Sequence, residues 1–200
     1  MKIALVIRLA PTVEKKIKKF KKLFKTKHLK CLYIDDFPHL TLFTMDTSLK
    51  KNSLKKIKLN KCFKKIQIKI GKPDIFANDI LTGGKTFFYR INKNKKLFDL
   101  QHCAINIFKK YKVKEKTVNK FHKNTLEYKS FKKYGFPYIG KHWIPHISIC
   151  SILDKNINKK LAKNFFKSKI NLDFYVYELS LCVVTKKRLE EVKKINFLIK

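Results

Sequence analysis

The chain has 200 residues, 44% of them hydrophobic and 13% aromatic, which supplies a real core and excludes wholesale disorder. Its 49 basic residues against 14 acidic ones leave a formal charge of +35, which excludes an acidic scaffold and makes a polyanion a candidate partner. Arginine stands only at Arg8, Arg90 and Arg188; the A/T-rich codons shared by Lys, Asn, Ile and Phe are a second source of the lysine excess.

Residues 2–10 (KIALVIRLA) read as a buried strand. Thr12 is a candidate N-cap for a helix from Val13 to about Lys27, where Val13, Ile17, Phe20, Leu23 and Phe24 recur every three or four positions and lysines form the solvated face. Strands are expected at 30–34 and 39–45 and a short helix near 48–58. Further strands follow at 62–70, 73–80 and 86–92, the last two joined by a Thr82-Gly83-Gly84 turn. A helix is expected at about 95–110, and residues 112–141 read as a long, lysine-rich loop or insertion with some helix. A strand at 144–152, a helix at 156–166 and one or two strands within 172–185 complete the pattern, with 188–199 open to either state. The chain is therefore expected to be α+β, with mainly antiparallel sheets, and a single domain over 1–200, since no Pro/Ser/Gly-rich linker divides it.

Cys31, Cys62, Cys103, Cys150 and Cys182 are odd in number, widely spaced and without a CxxC pair, which argues against a disulfide framework and a zinc site; most read as small buried hydrophobes. The N-terminal apolar run is too short for a signal peptide, and no stretch approaches the roughly 20 residues of a membrane span. The expectation is a cytoplasmic, monomeric protein that needs no membrane. GxGxxG, GxxxxGK[ST] and acidic metal clusters are missing, so no cofactor and no metal is expected.

Two segments resemble each other across 107 positions: Phe37-Pro38-His39-Leu40-Thr41-Leu42-Phe43 and Ile144-Pro145-His146-Ile147-Ser148-Ile149-Cys150. On a strand, residues i and i+2 share a face, so His39 projects with Thr41 and His146 with Ser148, while Leu40 and Ile147 turn into the core. Brought side by side, the strands surround a phosphodiester with two imidazoles and two hydroxyls. A neutral imidazole can take the proton of an attacking hydroxyl while a protonated one supplies the leaving oxygen. Thr41 and Ser148 can donate to the non-bridging oxygens. A single H-x-[ST] triplet is common by chance; two, each behind a proline in an apolar strand, are specific.

These motifs resemble those of the 2H phosphoesterase superfamily, which includes 2'-5' RNA ligase-like proteins and cyclic nucleotide phosphodiesterases. IALVIRLAPTVEKKIKKF resembles that family's opening strand, proline and helix, Tyr138-Ile139-Gly140-Lys141-His142-Trp143-Ile144-Pro145 its aromatic lead-in to the second motif, and DFYVYELSLCVVT its late strand pair. The resemblance implies a pseudo-symmetric fold of two lobes around a cleft, His39 and His146 as acid/base pair, and Thr41 and Ser148 as phosphate ligands. Two departures leave the substrate open. Cys150-Ser151 stands where a basic residue often follows the second motif, and the 112–141 segment is longer than in compact members.

Around the motifs, Trp143, Tyr138 and Phe37 are candidates for base stacking or a substrate rim, each with the alternative of anchoring a loop. Arg8 is a candidate phosphate contact, with a structural ion pair as its alternative. His142 is unassigned, and His28, His102 and His122 read as exposed bystanders. Tyr134, Lys132, Lys133 and Lys141 can form an oligonucleotide-guiding rim or an ordinary solvated loop. The expected activity is metal-independent cleavage of a 2'-5' linkage, a 2',3'-cyclic phosphate or a cyclic oligonucleotide, with a bell-shaped pH profile near neutrality. The partner is RNA, an oligonucleotide or a cyclic nucleotide. The rival reading is an RNA- or nucleotide-binding module of the same fold without significant turnover.

Overall fold

The computed structural model describes residues 1–25, 30–59, 65–113, 121–154, 157, 159–168, 170, 172–185 and 188–196. In chain order these form β1 (Lys2–Arg8), α1 (Pro11–Phe24), β2 (Cys31–Leu32), β3 (His39–Asp46), α2 (Lys51–Leu54), β4 (Gln67–Phe76) and β5 (Lys85–Ile91). There follow α3 (Lys95–Phe108), α4 (Leu126–Tyr134), β6 (His146–Ile152), α5 (Lys159–Lys167), β7 (Asp173–Tyr175), β8 (Glu178–Val184) and β9 (Leu189–Asn196).

The strands make two sheets, in the orders β3-β1-β8-β9 and β2-β6-β5-β4-β7, with every pair antiparallel. The first motif strand thus belongs to one sheet and the second to the other, and β3 packs against β6 where the sheets meet. A continuous buried cluster unites them: Ile3, Leu5, Ile7, Leu40 and Leu42 from the first sheet pack with Phe87, Tyr89, Ile147 and Ile149 from the second and with the apolar faces of α1 and α3. The architecture is the α+β, antiparallel one expected.

Several local readings are corrected. The first helix begins at Pro11, whose missing N–H costs nothing at the first helical position; Ala10 is the N-cap, and Thr12 caps nothing. Its buried face is Val13, Ile17, Lys21 and Phe24, whereas Leu23 is 57% exposed, so the solvated face contains one lysine fewer than the pattern suggests. Of the strands expected at 62–70 and 73–80, the described residues form one, β4 (Gln67–Phe76), with a register irregularity between Ile70 and Pro73; residues 62–64 lie outside the described residues. Proline is tolerated there because, among the described residues, β7 and Leu172 take up Gln67–Ile70, and Pro73 lies beyond that pairing. The end of the chain is strand over Leu189–Asn196, and residues 197–199 lie outside the described residues. The loop expected at 112–141 contains α4, capped by the Thr125 side chain and closed by Gly135 at φ 73°; residues 114–120 lie outside the described residues. Cys150 and Cys182 are buried thiols and Cys31 is half-buried, but Cys103 is disulfide-bonded, a pairing that spacing does not reveal. Among the described residues no helix is long and apolar enough to cross a membrane.

The turn from Asp79 to Gly84 joins β4 to β5 and packs against the end of β6, where Ser151 Oγ donates to Thr82 Oγ1 at 2.8 Å. Gly83 has φ 77° and open space around it, whereas a Cβ on Gly84 would lie 2.5 Å from Ile152 O. Gly84→Ala is expected to cost about 1–3 kcal/mol by forcing the turn and β6 apart, more than Gly83→Ala. Urea unfolding of the two variants decides the order.

Candidate active site

Both motifs begin their strands, and both are built alike. In each, a register shift leaves one extra residue on the motif strand. Leu5 faces Phe43 and Val6 faces Thr41, so Leu42 is extra on β3; Phe87 faces Cys150 and Phe88 faces Ser148, so Ile149 is extra on β6. These bulges, three residues beyond each histidine, let two successive residues turn into the core while His39, Thr41, His146 and Ser148 stay half-buried on the other face. Each histidine also faces an arginine on the neighbouring strand, Arg8 opposite His39 and Arg90 opposite His146.

The imidazoles are pinned in the same manner. Nδ1 of His39 lies 2.7 Å from Phe37 O, and Nδ1 of His146 lies 2.7 Å from Ile144 O. A carbonyl can only accept, so Nδ1 carries the proton and Nε2 is left with the lone pair in the neutral ring. The intervening proline gives this bond its geometry: it fixes its own φ, holds the preceding residue extended, and offers no competing N–H.

Packing and charge then depress both basicities. Burial pushes the His39 pKa well below the ordinary imidazole value; the bond to Phe37 O opposes this, Lys21 and His146 push further down, and Asp36 opposes. Burial also lowers His146, opposed by its bond to Ile144 O and by Asp79, and assisted by Arg90. That His146 acts on His39 places the two rings within each other's field. Aromatic walls supply the desolvation: Phe37 meets His39 at 5.4 Å, while Phe76 and Phe88 meet His146 at 5.1 and 5.0 Å.

Lys21 is the residue the helical pattern misplaced. Only 6% exposed, it donates from Nζ to Tyr33 O at 2.5 Å and to Asp36 O at 2.8 Å. These carbonyls bracket the turn that leads into Phe37-Pro38-His39, in which Tyr33 has φ 65°. Burial drives the Lys21 pKa down to about 8. A long cationic side chain at a core-facing helical position is the signal that could have marked it.

The surrounding candidates divide. Arg8 is held by Glu14 at 3.5 Å, Glu191 at 3.8 Å and Glu178 at 3.9 Å and lies 4.1 Å over the Phe37 ring, so it takes the structural ion-pair alternative. Phe37 accordingly has one face covered by Arg8 and its edge towards His39; it supports the imidazole and borders a cavity of about 480 Å³ shared with Asp35, Arg188 and Glu190. Trp143 is corrected: 3% exposed, with Phe98 edge-on at 5.6 Å, it anchors the loop and offers no face to a base. Tyr138 packs between Phe136 and Phe121 on the α4 side, so it too belongs to the loop's own core. His142 Nε2 lies 3.0 Å from both Ser130 Oγ and Pro137 O, tying α4 to this lead-in. Lys132, Lys133 and Lys141 are exposed, and Tyr134 is half-buried. His102 and His122 are exposed, as expected; His28 lies outside the described residues. Among the described residues no three His, Cys, Asp or Glu side chains converge as metal ligands.

The fold and this paired site define a class, two-lobed α+β chains with a histidine–hydroxyl pair from each lobe. The chain superposes on TT0787 of Thermus thermophilus with a TM-score of 0.64 and 12% identity, covering 98% of both chains. On Escherichia coli LigT complexed with NADP+ the TM-score is 0.58 at 12% identity, covering 98% of this chain and 96% of LigT. On a crystallised phosphoesterase it is 0.55 at 12% identity, covering 98% of both. No family model matches the chain, and no curated protein matches it in sequence. The chain therefore has the LigT-like fold that the 2H phosphoesterase resemblance implies.

Because both imidazoles are held neutral in the folded state, unfolding takes up protons below about pH 6.5, the ordinary value. Stability is then full above that pH and falls as pH drops through 6.5 towards the lowered native values. Urea midpoints are expected to fall between pH 7 and pH 5, and to fall less in His39→Gln. Lys21→Met is expected to raise the His39 pKa, read from imidazole NMR shifts, and to cost about 1–3 kcal/mol by stranding two carbonyls.

Proposed function

We propose that the protein is a metal-independent phosphodiesterase in which His39 and His146 act as general base and general acid on a nucleotide phosphodiester. The observation that carries this reading is the pair of Nδ1-anchored imidazoles on strands that meet, each with a hydroxyl two residues on. Escherichia coli LigT, which shares the fold, has been crystallised with 3'-AMP, with ATP and with phosphate, which supports a nucleotide as the ligand class.

The local charges give the pair a polarity. After burial and the Nδ1 bond, Lys21, opposed by Asp36, lowers His39, and Asp79, opposed by Arg90, raises His146, which favours His146 as the proton carrier of a half-protonated pair. His39 Nε2 takes the proton of the attacking ribose hydroxyl or water. The new P–O bond forms as the opposite one breaks, and His146 Nε2–H protonates the departing oxygen. Thr41 and Ser148 hydroxyls donate to the non-bridging oxygens as negative charge gathers there. In a 2'-5' or 3'-5' linkage the adjacent hydroxyl gives a cyclic phosphate; a 2',3'-cyclic phosphate is opened by water. Binding an anion between the rings favours uptake of the catalytic proton.

His39→Ala and His146→Ala are each expected to reduce kcat by about 100- to 10,000-fold with ligand affinity largely kept. Thr41→Val and Ser148→Ala should lose about 100- to 1,000-fold. Mass spectrometry of products from 2'-5', 3'-5' and cyclic substrates, in EDTA, checks both. Absence of cleavage across the panel, with binding lost in the histidine variants, favours the binding module. Since both pKa values are lowered, kcat/KM should peak on the acid side of 6.5, below the neutral optimum expected of free imidazoles; a flat profile from pH 5 to 9 contradicts a two-imidazole reaction.

A further inference from the structure

Gln101 connects the two histidine-bearing segments through the core. It lies on α3, is fully buried, and sits in a helix face otherwise made of Leu97, Leu100, Ala104, Ile105 and Phe108. Its Nε2 donates to Leu42 O at 2.8 Å and to Tyr138 O at 3.0 Å, and the Gly140 N–H donates to its Oε1 at 3.1 Å. Both amide hydrogens are thereby used, and the carbonyl accepts once.

The positions of these partners matter more than their number. Leu42 is the extra residue of the β3 bulge, three places after His39. Tyr138 and Gly140 belong to the lead-in that runs through buried Trp143 to Pro145, whose carbonyl accepts from Ile91 N–H at 2.9 Å, and then to His146. Gly140 has φ 74°, and a Cβ there would stand 3.2 Å from His102 Nε2, so a side chain would press the loop off α3, away from Gln101. An apolar residue of like shape would fill the same core position without three exacting bonds. Packing alone therefore gives no reason for a glutamine.

We infer that Gln101 is a positioning residue that sets the separation of the two catalytic strands, by tying the β3 bulge to the loop that leads into His146 at the start of β6. This rests on the two-histidine reading of the site. Gln101 touches neither imidazole. A misplacement of about 1 Å between reacting groups costs on the order of 100-fold in rate, so its loss belongs in kcat and hardly in KM.

The test compares wild type, Gln101→Met and Gln101→Glu on a 2',3'-cyclic nucleotide, at a temperature where circular dichroism shows each fully folded. Gln101→Met is expected to lose about 10- to 100-fold in kcat with KM within about threefold. Gln101→Glu should recover part of this as pH falls towards 5, because a protonated carboxyl regains a donor. Wild-type kcat in folded Gln101→Met, or a loss confined to KM, overturns the inference. If Gln101→Met does not fold, Gln101→Glu decides: a constant ratio to wild type from pH 8 to 5 overturns it. If wild type cleaves nothing, the phosphodiesterase reading fails separately, and the inference is judged by titrating inorganic phosphate against the imidazole NMR signals. His39 and His146 should then respond with one common Kd in wild type and lose that common response in Gln101→Met; an unchanged common Kd in the variant overturns the inference.

Discussion

The bond from each imidazole Nδ1 to the carbonyl two residues earlier organises the site. It is local and made twice, at Phe37 and at Ile144, each time across a proline. It orients the ring, selects the tautomer, and leaves the lone pair of the neutral ring on Nε2. Everything else in the neighbourhood acts on rings already fixed in this way: aromatic walls desolvate them, Lys21 and Asp79 bias which one holds a proton, and the bulges turn them out of the core. The bond favours a charged ring modestly, and burial overrides it in both cases.

Net charge is a poor guide to this chemistry. In a protein of +35, the arginine facing His39 is surrounded by Glu14, Glu178 and Glu191, so its charge is spent inside the first sheet. Arg90, facing His146, is more exposed and pairs with Asp74. The lysines make a diffuse positive field that weakens with salt. The basicity of the two imidazoles is set at short range, first by burial and then by Lys21, Asp36, Asp79 and Arg90.

The pseudo-symmetry is one of strands, and the supports break it. Lys21 of α1 holds the turn before His39 by its two carbonyls, whereas the segment before His146 rests on Trp143, on α4 through His142, and on Gln101 of α3. The same local motif is thus held by different neighbours in the two sheets.

The motifs themselves determined the local build of the site: Pro-His-apolar-hydroxyl, written twice, carries the ring anchor, the shared face and the apolar backing, because all three depend on neighbours within four residues. Even the bulges left a trace in the apolar doublets Leu42-Phe43 and Ile149-Cys150, where strict alternation fails. Only the tertiary structure decided which supporting residues count. Lys21 carries the same letter as dozens of solvated lysines and becomes a clamp because α1 crosses the turn at Tyr33–Asp36; Trp143 loses its claim on a base because Phe98 covers it; Arg8 is drawn from phosphate to carboxylates that arrive from β8 and β9. Gln101 is an unremarked polar residue until the fold sets one strand and one loop on either side of its amide. Contacts between residues far apart in the chain leave no periodicity, so they become visible only when the sheets have met.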